Sequence, residues 1–91
     1  MDISDIKIRK ILSDDNRLKA IVSITIDDLI AIHDIKVVQG NERLFVAMPS
    51  RKDESGNFRD IIHPITASAR EQIENSILSA YNNYMDNLPA Q

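Results

Sequence analysis

The chain has 91 residues and a net charge of −3, with 43% apolar residues, 4% aromatic residues and no cysteine. This length predicts a single domain. The lack of cysteine excludes disulfides, cysteine-ligated zinc and a cysteine nucleophile, and the net negative charge argues against broad attraction to nucleic acid. All 11 Lys and Arg residues lie within residues 1–70, so any anion-binding surface has to be a local patch on a neutral body.

The first residues, Met1 to Asp5, have neither the basic segment nor the long apolar segment of a signal peptide. No run approaches the ~18 apolar residues that a membrane-spanning helix needs. We therefore expect a cytoplasmic protein without a membrane partner.

Two strands are predicted in the first third of the chain, at residues 3–12 and 18–26. The second strand alternates between apolar and polar residues, with Ile21 as the exception: Leu18, Ala20, Val22, Ile24 and Ile26 share one parity. This period of two is typical of a sheet with one covered face. In the first strand Lys7 and Arg9 point away from the apolar parity. The segment "DDNR" between the strands, residues 14–17, has turn chemistry.

Three further strands are predicted before residue 63. A turn at Asp27-Asp28 leads into a strand at about 29–38, and the Gly40-Asn41 turn leads into a fourth strand at 44–48. Pro49 lacks a backbone N–H and ends that strand. After the turn "DESGN", residues 58–62 form a short fifth strand, which gives an antiparallel meander.

The periodicity changes to that of a helix after Pro64. The apolar stripe consists of Ala69, Ile73, Ile77, Ala80 and Tyr84, with Tyr81 and Leu88 near it. Ser68 and Glu71 have the spacing of a capping box. A helix over about 69–86 is predicted, followed by a short tail at 87–91. The fold class is therefore α+β, with one main C-terminal helix packed on or beside a sheet of about five strands in a single domain.

Three blocks, "HDIKVVQG", "LFVAMPSRK" and "FRDIIHPI", occur in this order before the predicted helix. Together with the opening "MDISDIKIRKI", they resemble the SpoVG family (stage V sporulation protein G, the septation regulators) from Met1 to about Tyr84. The resemblance implies a small bacterial cytoplasmic homodimer that binds DNA, and also RNA, and regulates developmental and cell-surface genes. It also implies that nucleic acid is contacted by the helix after the His-Pro-Ile block and by nearby basic residues.

Three basic residues of the predicted hairpin are candidate phosphate contacts. Arg51 and Lys52 stand where the chain leaves the fourth strand, and Arg59 returns beside them. Arg offers a two-pronged donor and Lys a point charge to a phosphate. By themselves these residues also fit a solvated hairpin tip with weak ion pairs to Asp53 and Glu54; the family resemblance favours contact.

The start of the predicted helix supplies the other candidates. Arg70 lies in the first turn, where a phosphate could receive backbone N–H groups and the guanidinium together, and Thr66 and Ser68 could add hydroxyl donors. The basic residues of the first strand, which include Lys10, rank below these, because such charges also keep an open sheet from pairing with others.

No enzyme, metal or cofactor is predicted, and no small-molecule substrate is expected. His33 and His63 have no metal-ligand spacing, and no nucleophile, base and oxyanion donor can be assembled. We expect His63 to orient the corner between strand and helix. Tyr81 and Tyr84 could stack on bases, although a place over the sheet or at a dimer seam fits them better. The alternative to a nucleic-acid-binding regulator is a protein-interaction adaptor that regulates division or sporulation without touching nucleic acid.

Overall fold

The computed structural model describes residues 1–12 and 17–87 and contains six strands followed by one helix. The elements are β1 (Ile3–Ile11), β2 (Leu18–Ile26), β3 (Ile30–Gln39), β4 (Leu44–Ala47), β5 (Ser50–Lys52), β6 (Phe58–Asp60) and α1 (Ala67–Asp86). The fold class is α+β, as predicted. Strands β1 to β4 form an antiparallel sheet in chain order, and β5 and β6 form a second, two-stranded sheet.

The apolar parity of β2 faces the helix from Ala20 onward, as the alternation indicates, whereas a shift in pairing between Leu18 and Ala20 places Leu18 opposite Val38. Val22 pairs with Ile8 on one side and with Ile35 on the other, so apolar side chains line up across three strands. Helix α1 covers this face, contacts β1 and β4, and places Ile73 and Ile77 in the core. Burial of these aliphatic side chains is the main driving force for the fold.

The turn between β2 and β3 confirms the prediction at Asp27-Asp28. Both residues have positive φ, 54° and 57°, and Leu29 N–H donates to the Ile26 carbonyl at 2.9 Å. Two left-handed residues in succession define the type I′ turn, which matches the twist of a hairpin. The predicted turn between β1 and β2 falls largely on residues 13–16, which lie outside the described residues.

The prediction of five strands differs from the structure, which has six. Strand β4 ends at Ala47, and the buried residues Met48 and Pro49 lead into β5, which pairs only with β6. Pro49 therefore separates two sheets. The fifth predicted strand is also shorter than expected, because it ends at Asp60.

The predicted capping box at the start of the helix is wrong. Thr66 is the N-cap: its backbone is extended, and its Oγ1 accepts the Ala69 N–H at 3.1 Å. This satisfies one of the free donors of the first turn, and the helix begins two residues earlier than predicted. Tyr81 is buried against the core, whereas Tyr84, which the stripe included, is 44% exposed. The predicted position of Leu88 and residues 89–91 of the tail lie outside the described residues.

Candidate nucleic-acid interface

The β5–β6 hairpin places the candidate basic residues on two different faces. Arg51 pairs directly with Arg59, and Lys52 pairs with Phe58. Because directly opposed residues of an antiparallel pair share a face and neighbours alternate, Arg51 and Arg59 lie on one face and Lys52 on the other. The Lys52 ammonium is 6.0 Å from the Phe58 ring centroid. The two arginines therefore project from one face of the hairpin strands and the lysine from the other.

Asp53 organises the loop between β5 and β6, a role that sequence reasoning missed. Its Oδ1 accepts N–H groups of Ser55 at 2.9 Å and Asn57 at 3.0 Å, and its Oδ2 accepts the Arg59 Nε–H at 2.7 Å. The Gly56 N–H donates to the Asp53 carbonyl, and Gly56 has a φ of 86°, which a residue with a side chain rarely adopts. The signal was an Asp two residues before Ser-Gly, a pattern typical of an Asx turn.

The same contacts explain the protonation behaviour of Asp53. The Arg59 guanidinium, followed by the Asn57 N–H, holds the pKa of Asp53 below its ordinary value of 3.8. A carboxylate that accepts several hydrogen bonds is stabilised in its charged form. Arg59 is thus partly neutralised by an acid of its own hairpin.

Carboxylates match the cations across the whole hairpin surface. A shallow groove there is lined by three cations, three acids and one apolar residue: Arg51, Lys52, Arg59, Asp53, Glu54, Asp60 and Ile61. Its formal charge is zero. The carboxylates that line this groove offset the positive potential of its cations. The groove should therefore attract phosphate less strongly than the sequence alone predicts.

The hairpin and the helix start meet at a second groove. Arg59, His63 and Arg70 line it together with Phe58 and Asp60. The structure thus brings Arg59 near Arg70, which the sequence placed 11 residues apart. The first turn of α1, Ala67 to Arg70, holds no acidic residue.

The hydroxyl candidates have different roles at this corner. The Thr66 Oγ1 accepts the hydrogen bond that caps the helix. The exposed Ser68 Oγ lies 3.4 Å from the Thr66 Oγ1. His63 Nδ1 lies 3.1 Å from the Pro64 carbonyl oxygen, to which a proton on this nitrogen would donate. The expectation that His63 orients the corner agrees with this contact.

Apolar side chains are exposed beside the hairpin. Ile30, Ile61 and Ile62 line a groove that also contains Pro49 and Ala31, and Ile30 and Ile61 are 58% and 66% exposed. His33 and Asp34 line the same groove. Clustered exposed apolar side chains are a common feature of interaction surfaces.

Two further observations concern function classes. Within residues 1–12 and 17–87, no group of three or more His, Cys, Asp or Glu is arranged to hold a metal ion. In the same part of the chain, no helix has the length and apolar character to cross a membrane.

Comparison with known proteins assigns the family. Residues 1–83 match the family model described as SpoVG. A protein of Desulforudis audaxviator is 57% identical over 81 residues, which cover 89% of this chain and 91% of that protein. A protein of Agathobacter rectalis is 51% identical over 97% of this chain and 100% of that protein. One of Staphylococcus carnosus is 44% identical over 98% and 82%. All three bear the name "Putative septation protein SpoVG", which associates these relatives with septation. At this similarity and coverage, the chain belongs to the SpoVG family.

Proposed function

We propose that this protein is a homodimeric DNA-binding regulator of gene expression that affects sporulation, septation or cell-surface functions, with RNA as a further ligand. Its contact surface is the groove where hairpin and helix start meet. The observation that carries the proposal is the convergence of Arg59, His63 and Arg70 on that groove. Membership of the SpoVG family supports a regulatory role.

The first turn of α1 suits a phosphate better than the hairpin tip does. Its N–H groups point out of the helix end, where the helix dipole favours an anion. The Thr66 cap uses the Ala69 N–H but leaves Arg70 exposed beside the turn. A backbone phosphate placed there would receive backbone donors and a guanidinium at once.

A titration of duplex DNA tests this contact. Arg70→Gln removes one phosphate contact, so we expect weaker binding to many sequences and a salt dependence that is shallower by about 0.9 in logarithmic slope. Arg51→Ala with Lys52→Ala is expected to weaken binding as well, by less than two full contacts, because acids surround that pair. Fluorescence anisotropy at several salt concentrations measures both quantities.

The matched control for Arg70→Gln is Arg17→Gln, which removes the same charge from a side chain that donates to Asn41. It is expected to leave the salt slope unchanged. If Arg70→Gln and the double variant both retain the affinity and slope of the parent protein, the hairpin and helix start are not the contact surface. Absence of any nucleic-acid binding at low salt, with retained binding to a protein partner, would instead support the adaptor function.

The homodimer in this proposal uses the exposed apolar groove. A chain of this size buries a modest fraction of its surface, so covering Ile30, Ile61 and Ile62 with the same residues of a second copy would add apolar burial. Ile61→Asp is expected to give a monomer by light scattering at micromolar concentration. Ser79→Asp, which adds the same charge on the exposed side of α1, is expected to remain dimeric. A monomeric mass for the parent protein would contradict the dimer.

A further inference from the structure

The four-stranded sheet has a second side, the outer face, which faces away from α1. Lys10, Ile21, Lys36 and Ala47 form one row across all four strands, because each is registered with the next. Their chain neighbours Ala20, Val22 and Val37 belong to the core. Since strand residues alternate between faces, this row points away from the helix. The outer face consists of this row and of the residues on the same side of each strand, among them Lys7, Arg9, Ser23 and Phe45.

The outer face is basic although the protein is acidic. Four cations lie on it: Lys7, Arg9, Lys10 and Lys36. Among the residues that the structure describes, the acids on or beside this face are Asp5, whose nearest oxygen is 3.9 Å from the Lys7 ammonium, and Asp34, at the bulge in β3 with a φ of 62°. These groups together contribute +2 to a chain of net charge −3, so the remainder carries −5. The surplus of positive charge is therefore concentrated on one side of the sheet.

A polar chain holds one of these cations in place. Arg9 donates from Nε to the Ser23 Oγ at 3.3 Å, and this Oγ lies 3.0 Å from the His33 Nδ1. Among the described residues, Ser23 is the one polar residue that is buried, with 6% exposure. The Arg9 side chain therefore lies across β2. Because its bond to Ser23 uses Nε and its terminal nitrogens bond no other residue within 1–12 and 17–87, these nitrogens can act as a planar donor pair.

An aromatic ring stands at the opposite edge of the outer face. Phe45 pairs with Val38 and is 38% exposed. The ring packs beside Gly40, where a Cβ atom would sit 3.2 Å from it. Three strand spacings separate β4 from β1, or about 14 Å, which roughly four stacked nucleotides would span. The ring is thus held within reach of a strand of nucleic acid that contacts the cations.

We propose that the outer face binds a single strand of nucleic acid, with its phosphates on Lys10, Lys36 and Arg9 and a base stacked on Phe45. This rests on the proposed nucleic-acid-binding function and adds a surface separate from the hairpin and helix start. A broad sheet face does not enter a duplex groove as a helix does, whereas unpaired bases can lie flat on it and stack on its aromatic ring. The cations attract the phosphates, and the exposed Phe45 ring favours a nucleic acid over an acidic protein surface, which would pair with the cations but offer no base to stack on the ring.

Two variants test the surface with a fluorescein-labelled oligothymidylate as the single-stranded probe and a duplex of the same length. Lys10→Gln with Lys36→Gln is expected to lower the salt slope for the single strand by about 1.4, since two phosphate contacts are lost. Phe45→Leu keeps an apolar residue at the site and is expected to weaken single-strand binding about 5- to 150-fold with an unchanged slope. Both variants are expected to bind the duplex as the parent protein does.

The matched comparison is Arg51→Gln with Lys52→Gln, which removes the same charge from the hairpin. Loss of single-strand binding in this variant, with both outer-face variants unaffected, would overturn the outer-face proposal and leave the proposed function standing. Failure of the parent protein to bind either probe would overturn both. Circular dichroism confirms that each variant is folded before binding is measured.

Photocrosslinking gives a residue-level result that does not depend on substitution. An oligonucleotide carrying bromodeoxyuridine is irradiated with the parent protein, and tryptic peptides are analysed by mass spectrometry. Cleavage after Arg43 and Arg51 releases residues 44–51, which contain Phe45, and cleavage after Lys52 and Arg59 releases residues 53–59 of the hairpin. Because residues 44–51 also include Ser50 and Arg51 of the hairpin, fragmentation of this peptide locates the adduct, which we expect on Phe45; an adduct on Ser50 or Arg51 would contradict the proposal. An adduct confined to residues 53–59 would contradict the proposal.

Discussion

The β5–β6 hairpin and the outer face of the sheet hold similar numbers of cations but differ in where the acids stand. In the hairpin, acids follow the cations closely in the sequence, and Asp53 binds Arg59 directly at 2.7 Å. On the outer face, Lys10 and Lys36 are 26 residues apart in the sequence and are brought into one row by strand pairing. A basic cluster that is visible in the sequence can thus be neutral in space, and strand pairing can extend another such cluster by a cation that is distant in the sequence, here Lys36.

The largest expected effect tests whether the sheet really divides into these two faces. Val22 is fully buried and its neighbour Ile21 lies on the outer face. Val22→Lys would bury an unpaired charge at a cost of about 3 kcal/mol or more, a large part of the stability of a domain this small. We expect this variant to be unfolded or molten by circular dichroism and thermal denaturation.

Ile21→Lys is the counterpart on the outer face. The new ammonium lies between Lys10 and Lys36 and can reach water, so the fold is expected to persist. The single-strand salt slope is expected to steepen by up to about 0.7. A folded Val22→Lys variant would contradict the assignment of Val22 to the core. If Ile21→Lys then unfolded instead, the two faces would be assigned the wrong way round.

The strands of the main sheet were predictable because apolar and polar residues alternate along them. The bounds of β2 agree with the prediction at both ends, and Lys7 and Arg9 were correctly expected to point away from the apolar parity. Strand β5 was not predictable, because its three residues, Ser50–Lys52, are all exposed and have no apolar alternation.

The candidate site was only partly predictable for a different reason. Residue types identified the basic and hydroxyl candidates, but the register decides which of them share a face. The bulges beside Arg9 and at Asp34 shift the pairing by one residue, and a shift of one residue reverses the face of every following side chain. Neither composition nor local spacing predicts these bulges. The row that joins Lys10 to Lys36 is therefore visible only in the structure.

An intermediate effect is expected at the helix cap and bears on the proposed contact at the helix start. Both Thr66 and Ser68 carry hydroxyls, but only Thr66 bonds a helical N–H through its side chain. Thr66→Ala is expected to cost about 1 kcal/mol, or roughly 4–8 °C in Tm for a domain of this size. Ser68→Ala is expected to change Tm little. Equal losses in the two variants, measured by calorimetry, would contradict the assignment of Thr66 as the N-cap.

The smallest expected effect comes from removing the charge of Asp53, which partly neutralises Arg59 in the hairpin. Asp53→Asn keeps an oxygen that can accept the Ser55 and Asn57 N–H groups but removes the charge that faces Arg59. If the hairpin contacts phosphate as proposed, releasing Arg59 is expected to raise duplex affinity a few-fold and to steepen the salt slope by up to about 0.9. Unchanged duplex binding in this variant would separate the hairpin from the contact surface.

Acid should produce the same release in the parent protein. Because folding lowers the pKa of Asp53, its contribution to the hairpin is complete above its ordinary value of 3.8 and is lost as the pH falls through the lower folded-state value. The Ser55 and Asn57 amide resonances are therefore expected to shift with a midpoint below 3.8, and Asp53→Asn should abolish that titration. A midpoint at or above 3.8 would mean that Arg59 does not stabilise the charged form of Asp53. The cations of the hairpin would then be less neutralised than the Asp53–Arg59 contact implies.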